Sequence, residues 1–439
     1  MIDVQQAVFR IIRNKTFRNG IFFTLFSFLN SGISFLIMML MACFILPEAY
    51  GQLSLFTTLV SLLTIFICLN TNIMVGINFF RKPKDTVSRY LNVSVITAIV
   101  VYLLLITILM LLKVQLEAWL GLNSVFLFFA ISICLLQLFS TILLDIWRLE
   151  EKVGRYGIYS MLTVVSNLIL TVLFVAHMKL DWQGRVYAMV LTCLFFALVS
   201  LVTLVKKGYL KRSLPQKEYF VESYKFGLPL IPHGTTVWLR QGLDRYIINF
   251  FYVQSAVGFF SFAYNFANII NIVGAAFNAS YSVNIYKTLS ATNSNTLTVL
   301  KRNCRYLIVV YILICVAVCM GTSILIPFIF PKYNGCVDYL LPLCIGAMFH
   351  CFYLVYVNIL FFYKKTKVLM YITFTCSLLH CIASFLLTKY GVIYTAYVSL
   401  FSNMMIFIGV YWYSKNILRN CFPLIDKKEE ENKISNLIS

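Results

Sequence analysis

The sequence predicts an all-α polytopic membrane protein of about twelve transmembrane helices in two six-helix bundles. Three observations carry that prediction. First, 61% of the 439 residues are hydrophobic and only 12% are charged, whereas soluble domains run near half apolar and a quarter charged. Too little polar surface remains to wrap a water-facing globule. Second, apolar stretches of about 18 residues or more, the length a helix needs to cross a bilayer, recur from end to end. Third, a stretch such as Val93 to Leu112 (VSVITAIVVYLLLITILMLL) has no period-2 alternation, which excludes a β-barrel.

Taken in order, the spans fall at 20–45, 51–80, 91–112, 124–147, 157–178, 186–205, 226–252, 258–285, 304–326, 339–363, 368–388 and 394–414. Their orientation follows from the connections, because Lys and Arg are retained on the cytoplasmic side. Of the 36 basic residues, 29 lie on the side of the N-terminus and only Lys113, Lys179, Arg185, Lys332 and Lys389 on the other. Both termini are therefore expected in the cytoplasm. The net charge of +20 is mostly this orientation signal, and juxtamembrane cations also attract anionic lipid headgroups. Membrane lipid is thus an expected partner. Nucleic acid is not, since the cations are scattered over short connections with no domain to present them.

Residues 1–19 carry Arg10, Arg13, Lys15 and Arg18 and lead straight into a full span, which reads as a cytoplasmic N-terminal segment and not as a cleavable signal. The thirteen cysteines lie almost entirely in apolar stretches with no CxxC spacing, the pattern of small core hydrophobes. A lobe over 20–205 precedes a basic cytoplasmic linker, 206–225, and a second lobe follows over 226–414 with a cytoplasmic tail at 415–439. A short internal match supports duplication: Tyr50-Gly51-Gln52-Leu53-Ser54 aligns with Val257-Gly258-Phe259-Phe260-Ser261. Six spans repeated in parallel is a known transporter plan, with the path at the repeat interface.

The seventh span is the unusual one. It reads FGLPLIPHGTTVWLRQGLDRYIINFFY, and each of Arg240, Asp244 and Arg245 costs about 2.5 to 3.5 kcal/mol at the bilayer centre. That stripe cannot face lipid. On one continuous helix His233, Arg240 and Asp244 share a face, with Arg240 able to pair Asp244 at i,i+4. One acid cannot neutralise two arginines, so a cavity that takes an anionic group or a coupling proton is the functional reading; an internal ion pair that locks two helices is the plainer one. Pro229 and Pro232 each remove a backbone donor and predict a bend or hinge. In the eighth span Asn268, Asn271 and Asn278 share a stripe, and in the second Asn72 follows Ser54, Thr58 and Ser61. Amides suit sugar hydroxyls, or serve as helix–helix glue. Asp145 near the inner end of the fourth span either pairs with Arg148 or acts in ion coupling.

No GxxxxGK[ST] phosphate loop, HExxH or clustered metal-ligand spacing occurs, so no catalytic residues, metal or organic cofactor are expected.

The run Gly227-Leu228-Pro229-Leu230-Ile231-Pro232-His233, then Leu243-Asp244-Arg245-Tyr246-Ile247-Ile248-Asn249, then Ser255-Ala256-Val257-Gly258 and Tyr264 resembles the polysaccharide (Wzx-type, O-antigen) flippases of the multidrug/oligosaccharidyl-lipid/polysaccharide exporter superfamily. Leu46-Pro47-Glu48-Ala49-Tyr50-Gly51, Trp147 to Lys152 and Pro331-Lys332-Tyr333 add to the likeness. The resemblance implies a V-shaped pair of lobes working by alternating access. It implies an undecaprenyl-pyrophosphate-linked oligosaccharide as substrate, moved to the periplasmic leaflet for O-antigen or another surface polysaccharide, and coupling to a proton or sodium gradient. A polysaccharide polymerase and a chain-length regulator would be protein partners. Arg240 and Arg245 then become diphosphate contacts; Asp244, Asp145 and His233 become coupling or counter-charge groups; Asn268, Asn271, Asn278 and Asn72 become a sugar-facing wall. A cation-coupled multidrug exporter of the same superfamily and a membrane polysaccharide polymerase or ligase are the alternatives. The first calls for intramembrane carboxylates, the second for a large outer loop.

Overall fold

A computed structural model describes residues 15–211, 216–290 and 296–421. Among them every regular element is helical. The long helices are α1 (Lys15–Phe44), α2 (Pro47–Ile67), α4 (Lys84–Leu111), α6 (Ser124–Leu149), α7 (Val153–Thr171), α8 (Asp181–Lys206), α12 (Gln254–Ser290), α13 (Thr296–Ile329), α14 (Val337–Phe362), α15 (Thr366–Thr388) and α16 (Val392–Cys421). Shorter pieces are α3 (Ile73–Asn78), α5 (Lys113–Leu120), α9 (Lys217–Gly227), α10 (Ile231–Gln241) and α11 (Leu243–Phe251). Among the described residues, eleven helices are long and apolar enough to cross a bilayer. Large apolar side chains such as Leu111, Phe195 and Phe328 stay exposed along them, as expected where lipid replaces water as solvent.

Two predicted spans differ. The seventh, expected as one helix over 226–252, is broken. α9 ends at Gly227, a 3-10 turn covers Leu228–Leu230, α10 ends at Gln241, and Gly242 separates it from α11. Pro229 sits in the 3-10 turn and Pro232 is the second residue of α10, so both occupy the tight turn and first helical turn, where a missing N–H is tolerated. The second span, expected over 51–80, stops at Ile67. Leu69 and Asn70 follow with φ of 50° and 57°, a left-handed turn that no helix continues through. Asn72 therefore leaves the helical line that Ser54, Thr58 and Ser61 define.

The contacts divide the chain into two compact units. The first comprises the residues up to Trp238 with Ile248–Gly258, and the second Leu239–Ile247 with the residues from Phe259 onward. In the first unit, α2 and the opening turn of α12 cross at two glycines. A Cβ on Gly51 would meet the carbonyl oxygen of Gln254, and a Cβ on Gly258 the carbonyl oxygen of Pro47. Gln52 donates to Gln254 across the same crossing at 2.5 Å. The pair matched in the sequence repeat is thus one point of close backbone approach. Also in this unit, the Tyr159 hydroxyl ties α7 to α6 and α8 through Ser140 (2.8 Å), the Phe196 carbonyl (2.9 Å) and Ser200 (2.6 Å). In the second unit Val357, Leu360, Ile406 and Val410 form part of one buried cluster between α14 and α16.

Candidate functional site

The break at Gly242 builds the site. Ending α10 at Gln241 and starting α11 at Leu243 creates a helix C-terminus and a helix N-terminus side by side in sequence. Arg240 lies in the last turn of α10 and Asp244 in the first turn of α11. A cation beside a carbonyl end and an anion beside an N–H end are each favoured by the helix dipole, by about 0.3 to 1 kcal/mol at exposed positions and more when buried. Broken helices of this kind are how membrane transporters expose backbone ends to ions and substrates.

The pair expected between Arg240 and Asp244 does not form, because the spacing argument assumed one continuous helix. Asp244, 2% exposed, is taken up by α15 and α16 instead. Its Oδ1 lies 3.1 Å from Nε2 of His380 and accepts from Ser384 at 2.7 Å, and its Oδ2 accepts from Ser399 at 2.9 Å. The carboxylate is thus satisfied by three side chains that the sequence reading did not single out. Nδ1 of His380 is buried with no partner. With Nε2–H turned to the carboxylate, Nδ1 is left as an unused acceptor.

Arg245 is also held. Its Nε donates to Ser261 at 3.2 Å, its Nη1 donates to the carbonyl of Gln241, and its guanidinium lies 4.8 Å from the centre of the Tyr264 ring. The Gln241 carbonyl is one of those that the end of α10 leaves without an intrahelical partner, so Arg245 caps the break. Arg240 is placed differently. Its Nη1 donates to Asn403 at 3.3 Å, while its Nε is buried with no partner. It lines a cavity of about 30 Å³ with Tyr264, Asn268, Asn271, His350 and Asn403, and no described lining residue is acidic. That volume holds about two waters at ~15 Å³ each.

The asparagine stripe splits. Asn271 donates to Asn268 at 3.1 Å and leaves its own Oδ1 buried and unpartnered beside Arg240. Asn278 accepts from Asn358 of α14 at 2.7 Å, which is interhelical glue. Asn72, in the first unit, sits in the turn before α3 and accepts from the Cys68 thiol at 3.3 Å. Asp145 accepts from Arg148 at 2.7 Å within α6, as the plainer reading expected. The backbone of His233 is in α10; its side chain lies outside the described residues.

His380 and its neighbours were within reach of the sequence. Thr373, Ser377, His380, Ser384 and Thr388 fall at spacings of 4, 3, 4 and 4, and all are buried. Such a polar stripe in an apolar span marks a face turned to protein.

Residues 16–283 match the family described as polysaccharide biosynthesis protein. Two proteins of Haemophilus influenzae are similar over most of their length. One, named as an uncharacterized membrane protein, is 25% identical over 382 residues, or 85% of this chain and 90% of its own. The other, named for the Lsg locus, is 21% identical over 418 residues, covering 92% and 99%. Among solved structures, an inward-facing multidrug resistance MATE family transporter of the MOP superfamily superposes with a TM-score of 0.71 at 14% identity, covering 91% of this chain and 96% of its own. A MOP superfamily transporter from Pyrococcus furiosus, whose title describes a binding pocket of reversed polarity, gives 0.64 at 12% identity, covering 93% and 96%. At these identities the likeness establishes a shared fold.

Proposed function

This chain belongs to the polysaccharide biosynthesis protein family, and from that membership we propose that it is a flippase. It moves an undecaprenyl-pyrophosphate-linked oligosaccharide from the cytoplasmic to the periplasmic leaflet of a bacterial inner membrane by alternating access. It works beside a polysaccharide polymerase and a chain-length regulator in building O-antigen or another surface polysaccharide. The single observation that carries this reading is Arg240. Its charge faces a cavity with amides and no described acid, which favours an anion with hydroxyl-bearing neighbours over a cationic drug. Arg240 contacts the diphosphate, Asn268 and Asn271 the first sugar, and Arg245 joins them when it releases Ser261. At about 30 Å³ the cavity must widen to admit a diphosphate, and alternating access supplies that change.

Coupling to a proton or sodium gradient is assigned to Asp244 with His380, the buried carboxylate and imidazole that meet at 3.1 Å. The test is export of the lipid-linked repeat unit in cells. Arg240→Ala lowers it at least tenfold while membrane abundance stays within twofold of wild type. Unchanged surface polysaccharide in Arg240→Ala removes the substrate assignment. Full transport in sealed vesicles with proton and sodium gradients both collapsed removes the coupling.

A further inference from the structure

Among the described residues, cavities larger than the Arg240 site include two that lie outside it. One, in the first unit, has a volume of about 540 Å³ and is bordered by Arg155 and Lys207. Lys207 is already committed, 3.3 Å from Glu150 and over the Trp147 ring. The other, in the second unit, has a volume of about 400 Å³ and gathers Lys301 and Arg305 of α13 with Lys415 and Arg419 of α16. None of its described lining residues is acidic.

The pattern of this second cavity is directional. Lys301 and Arg305 are four apart on one face of α13, and that face continues to Ile308 further along the helix. Lys415 and Arg419 are four apart on α16, and Tyr411 and Phe407 precede them at the same spacing. All seven line the cavity. The cations come at the beginning of α13 and at the end of α16, the apolar residues further along one and earlier in the other. Both helices therefore put charge at one end of the cavity and an aliphatic and aromatic wall at the other. The charged end is the one the Lys and Arg count assigns to the cytoplasmic leaflet. Arg305, Lys415 and Arg419 are exposed, so the mouth is open to a ligand from the membrane surface. Arg305 and Lys415 reach the cavity from two different helices, and an anionic group between them can accept a charge-assisted hydrogen bond from each. A ligand with an anionic head and an apolar chain matches both ends at once, and the volume falls in the range that receives a ligand of moderate size.

We propose that this cavity is a binding site for a phosphate-headed lipid. Its phosphate lies among Lys301, Arg305, Lys415 and Arg419, and the first carbons of its chain lie against Ile308, Phe407 and Tyr411. The site is separate from the Arg240 cavity and stands whether or not the transported substrate is a lipid-linked sugar.

The full chain is reconstituted in nanodiscs, extracted, and its retained lipids counted by native mass spectrometry. Wild type keeps one phosphatidylglycerol with at least tenfold preference over phosphatidylcholine. Arg305→Gln/Lys415→Gln loses at least fivefold of that preference while its thermal unfolding midpoint in detergent stays within about two degrees. A second arm offers undecaprenyl phosphate with phosphatidylglycerol. Preference for the former assigns the site to the polyprenyl carrier, preference for the latter to the bilayer, and either supports a phosphate-headed lipid. A third arm removes residues 422–439, whose acids include Asp426 and Glu429. Lipid retention that arises only after this truncation makes the tail the occupant and overturns the proposal. So do equal retention of phosphatidylcholine, unchanged retention in the double variant, and displacement of the lipid by an equal concentration of inorganic phosphate.

Discussion

Nε2 of His380 lies 3.1 Å from Oδ1 of Asp244, two residues 136 positions apart that are both nearly inaccessible to solvent. This contact, with Ser384 and Ser399 completing the carboxylate's partners, makes it possible to hold a charge inside an apolar helix bundle. Removing one member of such a set leaves an uncompensated buried group, which costs more than the net worth of the contact.

His380→Ala is therefore expected to destabilise the protein by about 2 to 4 kcal/mol, read as lower membrane abundance and a lower unfolding midpoint. His380→Gln keeps an N–H donor and should recover most of that loss. It cannot carry a second proton, so transport should stay impaired. Recovery of gradient-driven transport in His380→Gln would show that the ring serves structure alone.

The glycine crossing gives a second prediction. Gly51→Ala or Gly258→Ala drives a methyl into the backbone carbonyl of Gln254 or Pro47, and backbone cannot rotate away as a side chain can. Overpacking of this kind costs about 1 to 3 kcal/mol, here near the upper end. The check is a thermal shift in detergent, with Gly321→Ala, which meets nothing within 4 Å, as the neutral comparison.

The two halves of the asparagine stripe should separate. Asn278→Ala breaks the bond from Asn358 and is expected to cost about 1 kcal/mol, with transport per folded molecule unchanged. Asn268→Ala and Asn271→Ala touch the Arg240 cavity, and should lower transport with little change in the unfolding midpoint. Equal transport losses at Asn278 and Asn271 would argue against the division.

A pH dependence follows from Glu150, at the end of α6. Burial pushes its carboxyl up, but hydrogen bonds from Lys152 and Tyr209 and the charges of Lys207 and Lys152 outweigh that and hold it below the usual carboxylate value. A depressed folded value means the stabilisation is complete at neutral pH and is lost as pH falls below about 4. The group borders water, so the amount is about 1 kcal/mol at most. Glu150→Gln should be less stable at pH 7 and should narrow its gap to wild type as the pH approaches 3, measured by thermal unfolding.

Much of the architecture was legible without coordinates. Long apolar runs need only length and composition to be identified, because a bilayer satisfies no backbone group and forces each run into a helix. That Arg240, Asp244 and Arg245 turn away from lipid was legible for the same reason: charge in such a run is too costly to leave against hydrocarbon. Their partners were not. Which side chain meets Asp244 depends on how α15 and α16 lie against α11, and spacing along one helix cannot report that. The polar stripe through His380 was visible, but its destination was not.

The sequence by itself determined that the chain spans a membrane, where most of its long helices run, and that its seventh span carries charge that lipid cannot face. All three depend on transfer free energies, which add residue by residue. The tertiary structure decided that the seventh span breaks at Gly242, that Asp244 turns to His380 while Arg245 caps the break, and that Arg240 faces a cavity. It also brought Lys301, Arg305, Lys415 and Arg419 together from helices about a hundred residues apart. Those outcomes depend on hydrogen bonding and packing between distant segments, which exist only once the helices are side by side.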